Sequence, residues 1–205
     1  MLTTQTVEMK LVHTMAHALR HDPAKYGLKP DAEGWVSFDD LIIAIRYERR
    51  DSMNIERDDI VDMLAAMESD RFEIAGAKIR AVYGHSIVLE KPPIAGEPPE
   101  FLFHGTAADL IPEIMAKGLL RMGRHFSHLS SDVDWVLRFI ANKPQWVVLR
   151  VLARDAHQNG LCFRQANRHV WLADSVAPQF LHVYSSGTIA KAAEPTPQQS
   201  PRLFG

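Results

Sequence analysis

Apolar residues recur at helical spacing along roughly the first seventy positions and cluster into short strand-like runs after position 100. Val7, Leu11, Met15 and Leu19 are four apart, which predicts a helix from about Thr6 to Leu19 that stops before Asp22-Pro23, since a proline disfavours the helical conformation of the residue before it. Arg20 and His21 then fall at its C-terminal end. Gly34-Trp35-Val36 reads as a short strand, and Ser37 with Asp40 three residues on caps a second helix through Leu41, Ile42 and Ile45. Asn54 is expected to cap a third, carrying Ile55, Ile60, Met63, Leu64 and Met67. Arg71-Phe72-Glu73-Ile74 and Lys78-Ile79-Arg80-Ala81-Val82 alternate around Ala75-Gly76-Ala77, which is a hairpin signal.

Four prolines and a glycine between Lys91 and Glu100 interrupt any regular element and mark a linker. Beyond it, Phe101-Leu102-Phe103, the run Trp146 to Val151, Cys162-Phe163-Arg164 and His169-Val170-Trp171-Leu172 read as strands. Leu110 to Lys117, closed by Gly118, and Asp132 to Ala141 read as helices. From Ser185 onward Ser, Thr, Ala, Gln and Pro dominate, too polar to pack. The expected fold class is α+β: a winged-helix-like unit over 1–91, a linker over 92–100, a mixed unit over 101–185 and a disordered tail over 186–205.

The 205 residues, 46% hydrophobic and 23% charged, suffice for two such units of roughly 100 residues each. No run approaches the roughly 20 apolar residues that span a bilayer, and the start lacks a basic-then-apolar leader, so a cytoplasmic protein without a membrane partner is expected. A single cysteine, Cys162, excludes an internal disulfide and a cysteine-based zinc site, and no metal is expected. The net charge of −2 is spread unevenly: residues 1–92 carry 12 Lys+Arg against 16 Asp+Glu, residues 93–205 carry 11 against 9. That argues against a broad nucleic-acid footprint. Yet Arg outnumbers Lys 15 to 8, and a guanidinium grips phosphate with two parallel bonds.

Walker, G-x-G-x-x-G, H-E-x-x-H and G-x-S-x-G motifs are absent, which removes the usual P-loop, dinucleotide-fold, zincin and serine-hydrolase chemistries. Arginines and histidines remain at element ends: Arg20-His21, Arg80 with His85, His104-Gly105-Thr106, Arg124-His125 and His128-Leu129-Ser130. Each alone has a structural explanation. Arg20 and His21 complement a helix dipole, Arg80 is an edge charge, His85 a turn residue, and His104-Gly105-Thr106 a strand-ending turn.

Together they form a pattern that resembles the RNA (tRNA) 2'-phosphotransferase family. The matching stretches are Leu19-Arg20-His21-Asp22-Pro23 with Gly27-Leu28 and Asp31-Ala32-Glu33-Gly34-Trp35-Val36, Ile79-Arg80-Ala81-Val82-Tyr83-Gly84-His85-Ser86, Phe103-His104-Gly105-Thr106, Met122-Gly123-Arg124-His125 with His128-Leu129-Ser130, and Val170-Trp171-Leu172. The resemblance implies a winged-helix lobe joined to an ADP-ribosyltransferase-like lobe, with the active site between them. It implies NAD as co-substrate and, as partner, RNA bearing an internal 2'-phosphate of the kind left by tRNA splicing. The 2'-phosphate attacks the nicotinamide ribose, and the ribose 2″-hydroxyl then attacks phosphorus, releasing 2'-OH RNA and ADP-ribose 1″,2″-cyclic phosphate. Carried over by motif, the catalytic residues are Arg20, His21, Arg80 and Arg124, and the NAD-binding residues His104, Gly105, Thr106, His128, Leu129, Ser130 and Val170. Where family members commonly carry Val, this chain has Ser127; where they carry Glu-Asn-Gly, it has Asn167-Arg168-His169, expected to alter contacts near NAD. Arg138 and Arg150 are read as solvated charges, and a monomer is expected. A one-step ADP-ribosyltransferase acting on terminal phosphates and a winged-helix nucleotide-sensing regulator are the alternatives. Asp39, Asp40, Asp58, Asp59 and Asp62 argue against the regulator, because they oppose the phosphate contacts that DNA binding needs.

Overall fold

Helix α1 (Thr4–Arg20) places Leu11, Val12, Met15, Ala18 and Leu19 on one buried stripe and ends just before Pro23, as its spacing predicts. The computed structural model describes residues 4–141 and 143–188. Strand β1 (Val36–Ser37) leads into α2 (Phe38–Glu48), where Ser37 Oγ accepts the Asp40 N–H at 3.2 Å. Helix α3 (Arg57–Ala66) is capped by Glu56, not Asn54, and the Glu56 N–H donates to Asp59 Oδ2 at 2.8 Å. The cause is Arg46, whose guanidinium donates twice to the Ile55 carbonyl, at 3.0 and 2.7 Å, and holds that stretch outside the helix. Strands β2 (Phe72–Ala75) and β3 (Lys78–Ala81) form the expected hairpin, with Gly76 at φ +56° in its turn. Because β1 pairs with the other side of β3, the sheet order is β1-β3-β2 and Arg80 lies on the central strand, not an edge. One apolar core, Leu11 to Ala81, fills this half.

The second half runs β4 (Phe101–Ala107), α4 (Ile111–Lys117), β5 (Leu119–Leu120), β6 (Ser127–Ser130), α5 (Val133–Ile140), β7 (Gln145–Leu152), α6 (Ala153–Gln158), β8 (Phe163–Gln165), β9 (Val170–Ala173), β10 (Ser175–Val176) and β11 (Leu181–Thr188). Six strands form one antiparallel sheet in the order β11-β7-β4-β6-β9-β8, and β5 pairs with β10. The architecture is mixed α+β, as the sequence predicts. No helix among the described residues is long and apolar enough to cross a membrane.

Three expectations change here. His104-Gly105-Thr106 is not a turn but the middle of β4, and Gly105 is what lets α5 lie on that strand. A Cβ at Gly105 would stand 2.7 Å from Val136 Cγ1 and 3.2 Å from Ile140 Cδ1. Gly105→Ala is therefore expected to destabilise the protein by about 1–3 kcal/mol, read as a lower denaturation midpoint. Secondly, residues 186–188 continue β11, with Ser186, Gly187 and Thr188 opposite Val147, Trp146 and Gln145. Residues 189–205 of the expected tail lie outside the described residues. Finally, the 92–100 segment is fastened to β8: the Gly96 N–H donates to the Phe163 carbonyl at 2.9 Å and Arg164 Nη1 to the Pro93 carbonyl at 3.0 Å.

Between the halves, Tyr83, Val170 and Leu172 form a small apolar core with Val82, Phe126 and Trp135 packed against it.

Candidate active site

The C-terminus of α1 is clasped by the loop that follows the hairpin. The Arg20 carbonyl accepts the N–H groups of Ser86 at 3.0 Å and Ile87 at 3.3 Å, so residues 84–87 close the helix end in place of a further turn. Gly84, at φ +89°, allows this approach, since a Cβ there would lie 3.2 Å from Arg20 Nη1. The Arg20 guanidinium sits over the Tyr83 ring at 5.1 Å, donates to the Arg71 carbonyl at 3.4 Å, and leaves its Nε buried without a partner. Burial pulls it down to about 10, with Arg71 and Arg124 adding to the effect against Tyr83, so it stays charged at neutral pH. The Nδ1 of His21 is hydrogen bonded to Ser86 Oγ at 3.0 Å. Its pKa is lowered, first by burial and then by His17, Arg20 and Arg124.

The same loop reaches the second half. His125 donates from its backbone N–H to the His85 carbonyl at 3.2 Å, and its Nε2 donates to the Ser86 carbonyl, also at 3.2 Å. Next to it, Arg124 Nη1 donates to His128 Nδ1 at 3.1 Å. A guanidinium only donates, so Nδ1 is the acceptor and His128 is the neutral Nε2–H tautomer. Burial, then Arg124, Arg20, His104 and His85, push its pKa down to about 3. His104, whose pKa is lowered by burial, donates from Nδ1 to the His128 carbonyl at 2.8 Å, which leaves Nε2 as a bare acceptor.

His21, His104, Thr106, Arg124 and His128 line one cleft of about 450 Å³, floored by Leu110, Ile114, Leu119 and Phe126. The other expected residues face elsewhere. Gly105 is turned to α5, Leu129 is buried in the sheet core, Val170 lies in the small core between the halves, and the Ser130 hydroxyl donates to the Asp132 carbonyl at 3.0 Å. Arg80 stands apart as well: its Nε and Nη2 donate to Glu73 Oε2 at 2.9 and 2.7 Å, and its guanidinium lies 4.4 Å over the Trp35 ring. Arg168 and His169 line a second cleft between the halves instead of this one. Arg150 is not a free surface charge, because its guanidinium covers the Phe101 ring at 5.0 Å with Nε buried.

Two residues at the centre received no role from the sequence. Tyr83 lies between Arg20 and His128, its ring 5.6 Å from the imidazole, and burial raises its hydroxyl to about 12. His85, only 8% exposed, has an unpartnered Nε2 and is pushed down to about 4 by burial, then by Arg20, His21, Arg80 and His125. Their signal was the glycine between them, since a residue lacking Cβ after a strand marks a close approach. The unfolded chain takes up protons at His85 and His128 below about 6.5, whereas the folded chain refuses them until about 4 and about 3. Stability is thus expected to fall as pH drops below about 6.5, on the order of 1.4 kcal/mol per pH unit for a buried imidazole. Urea midpoints measured from pH 7 to pH 4 check this.

Among the described residues, no group of three or more His, Cys, Asp and Glu could hold a metal ion. The two halves thus bring a guanidinium and neutral imidazoles to the rim of an apolar cleft of an α+β protein, with a second guanidinium buried close by, a donor set whose chemistry suits a phosphorylated ligand. The family model described as RNA 2'-phosphotransferase, Tpt1 / KptA family, matches residues 6–175. The chain belongs to that family of transferases, as the motif resemblance implies. It is 38% identical over 173 residues to a protein of Acetivibrio thermocellus (84% of this chain, 94% of the relative). A protein of Rhizobium leguminosarum bv. trifolii is 36% identical over 182 residues (88% and 96%), and one of Burkholderia lata 37% over 175 residues (84% and 89%). Each is named "Probable RNA 2'-phosphotransferase".

Proposed function

We propose that the chain is an NAD-dependent RNA 2'-phosphotransferase that moves an internal RNA 2'-phosphate to NAD and leaves a 2'-hydroxyl. The carrying observation is that His21 and Arg124, from opposite halves, meet at the rim of one apolar cleft, with the charge of Arg20 close enough to act on both. Three helices with a three-stranded sheet support a winged-helix-like first lobe, and the six-stranded antiparallel sheet supports an ADP-ribosyltransferase-like second lobe.

The cleft's donor set fits a dinucleotide. Leu110, Ile114, Leu119 and Phe126 offer an apolar surface to a base, and Thr106 offers a hydroxyl. His104 and His128, kept neutral, do not repel a cationic nicotinamide ring, and the carboxylate that lines the cleft, Glu113, is paired with Lys117 at 2.8 Å. Gly105, Leu129, Ser130 and Val170 act in this reading by holding strands β4, β6 and β9 in register. Bound NAD supplies the electrophilic ribose carbon that accepts the phosphate.

Arg20 and Arg124 clamp the phosphate oxygens, which carry nearly two negative charges in a site without metal. With Nδ1 fixed by Ser86, His21 has Nε2 free to hold a proton for the departing 2'-oxygen. Arg80 completes the clamp only after leaving Glu73. Glu73→Gln is therefore expected to lower KM for the RNA severalfold with kcat preserved, as read from initial rates.

The test is incubation with NAD and a 2'-phosphorylated oligonucleotide, resolved by electrophoresis. The reading expects RNA that has lost its phosphate only when NAD is present. An adduct that never resolves would favour a one-step ADP-ribosyltransferase, and unchanged RNA and NAD a regulator.

A further inference from the structure

A second cleft lies between the halves on the far side of Tyr83, whose ring is 5.6 Å from that of His128 and 6.5 Å from that of Trp135. It measures about 360 Å³ and is lined by Arg71 and its neighbours from the first half and by Trp135, Arg138, Phe139 and Arg168 from the second. We propose that it holds one nucleotide of single-stranded RNA flanking the reacting 2'-phosphate, an inference that rests on the RNA 2'-phosphotransferase reading.

The walls carry the two features such a ligand needs. The first is an aromatic platform: Trp135 and Phe139 have ring centroids 4.4 Å apart, and Phe139 is exposed to the cleft. The second is a pair of guanidiniums, Arg71 and Arg168, that stand outside any ion pair among the described residues, in a lining that holds three arginines and three carboxylates. Of the carboxylates, Glu68 faces Arg138 at 3.7 Å, and Asp132 accepts the N–H groups of Asp134 and Trp135 at the start of α5 and lies 3.6 Å from His169. Asp70 keeps one oxygen buried. Among the described residues, no carboxylate lies within ion-pair distance of Arg71 or Arg168.

The Arg71 guanidinium and the backbone that carries Arg168 are held in place. Arg71 lies 5.0 Å over the Phe139 ring, and its carbonyl accepts from Arg20, so the cleft wall is tied directly to the α1 terminus. Arg168 sits at the apex of a turn in which Asn167 Oδ1 accepts the His169 and Val170 N–H groups at 2.9 and 2.7 Å. Asn167 Nδ2 also donates across the seam to the Asp70 carbonyl at 3.1 Å. A base stacked on an aromatic face with its phosphodiester on arginine forks is how sequence-tolerant single-strand sites work. The volume suits one nucleotide, not a duplex, and the near-neutral chain offers no broad basic surface for one.

The test uses a fluorescein-labelled hexaribonucleotide without a 2'-phosphate, in the absence of NAD, read by anisotropy at several salt concentrations. Arg168→Glu is expected to weaken binding and to flatten the salt slope by about 1, the signature of a lost phosphate contact. Phe139→Ala is expected to weaken it about tenfold, within the range of one lost base stack. Both side chains are exposed, and unchanged melting temperatures verify folding. In turnover, both variants should raise KM for a 2'-phosphorylated hexamer but not for a nucleoside 2'-phosphate, which has no flanking nucleotide. A hexamer that does not bind the wild-type chain, or binds both variants as it binds wild type, overturns the proposal. Because binding is read without NAD or a 2'-phosphate, absence of all NAD-dependent turnover is a separate result that counts against the functional reading.

Discussion

Replacing Arg124 by Ala is expected to cut turnover of a 2'-phosphorylated RNA by about 10³–10⁵, the range that a correctly aimed arginine contributes to phosphoryl transfer. Arg124 is exposed at the rim and its guanidinium bonds to His128, so its loss removes charge without opening a core. Stability should stay within about 0.5 kcal/mol of wild type. Arg124→Lys separates charge from geometry, because lysine keeps the charge but cannot donate along two parallel directions. An intermediate rate is expected. The single bond from Arg124 to His128 Nδ1 adds a second readout: without it, one of the groups that depress the imidazole is gone, and the His128 pKa should rise in the alanine variant. Near-wild-type turnover in both variants would contradict the clamp.

His21→Ala is expected to accumulate phospho-ADP-ribosylated RNA, since the first attack needs only the clamped phosphate, whereas release of the 2'-oxygen needs a proton. Ser86 Oγ holds His21 Nδ1, and burial with His17, Arg20 and Arg124 keeps the imidazole's pKa low in the free protein. A bound phosphate dianion beside it offsets the two guanidiniums and favours the protonated ring when the acid is needed. If the variant fails to consume substrate at all, His21 binds the phosphate and has no proton role.

The first half was legible because its signals are local. A four-residue apolar spacing, a Ser37 cap and a Gly76 turn each act within a few residues, and each element formed where those features sit. Four strands were missed: the short pair β5 and β10, and, in the main sheet, β6 and β11, which are Ser-His-Leu-Ser and a run ending Ser-Ser-Gly-Thr. Their polar residues are explained by distant partners. Ser130 turns back onto Asp132, and Gly187 leaves room for Trp146, whose Cζ2 would lie 2.3 Å from a Cβ there. The same holds at the site. Arg20-His21 could be placed at a helix end from the sequence, but that His85 would be buried among Arg20, His21, Arg80 and His125 depends on how the two halves meet. Motif order identified the family. It could not separate residues that face the cleft, His104, Thr106 and His128, from those that shape its strands, because alternation along β4 and β6 assigns neighbours to opposite faces.

The central claim is that the cleft moves a phosphate from RNA to NAD and not to water. Its most direct test follows a ³²P label placed in the RNA 2'-phosphate, with products separated by chromatography after incubation with NAD. The account predicts that the label appears in ADP-ribose 1″,2″-cyclic phosphate, one equivalent for each nicotinamide released. Label recovered as inorganic phosphate, or released without NAD, would contradict it.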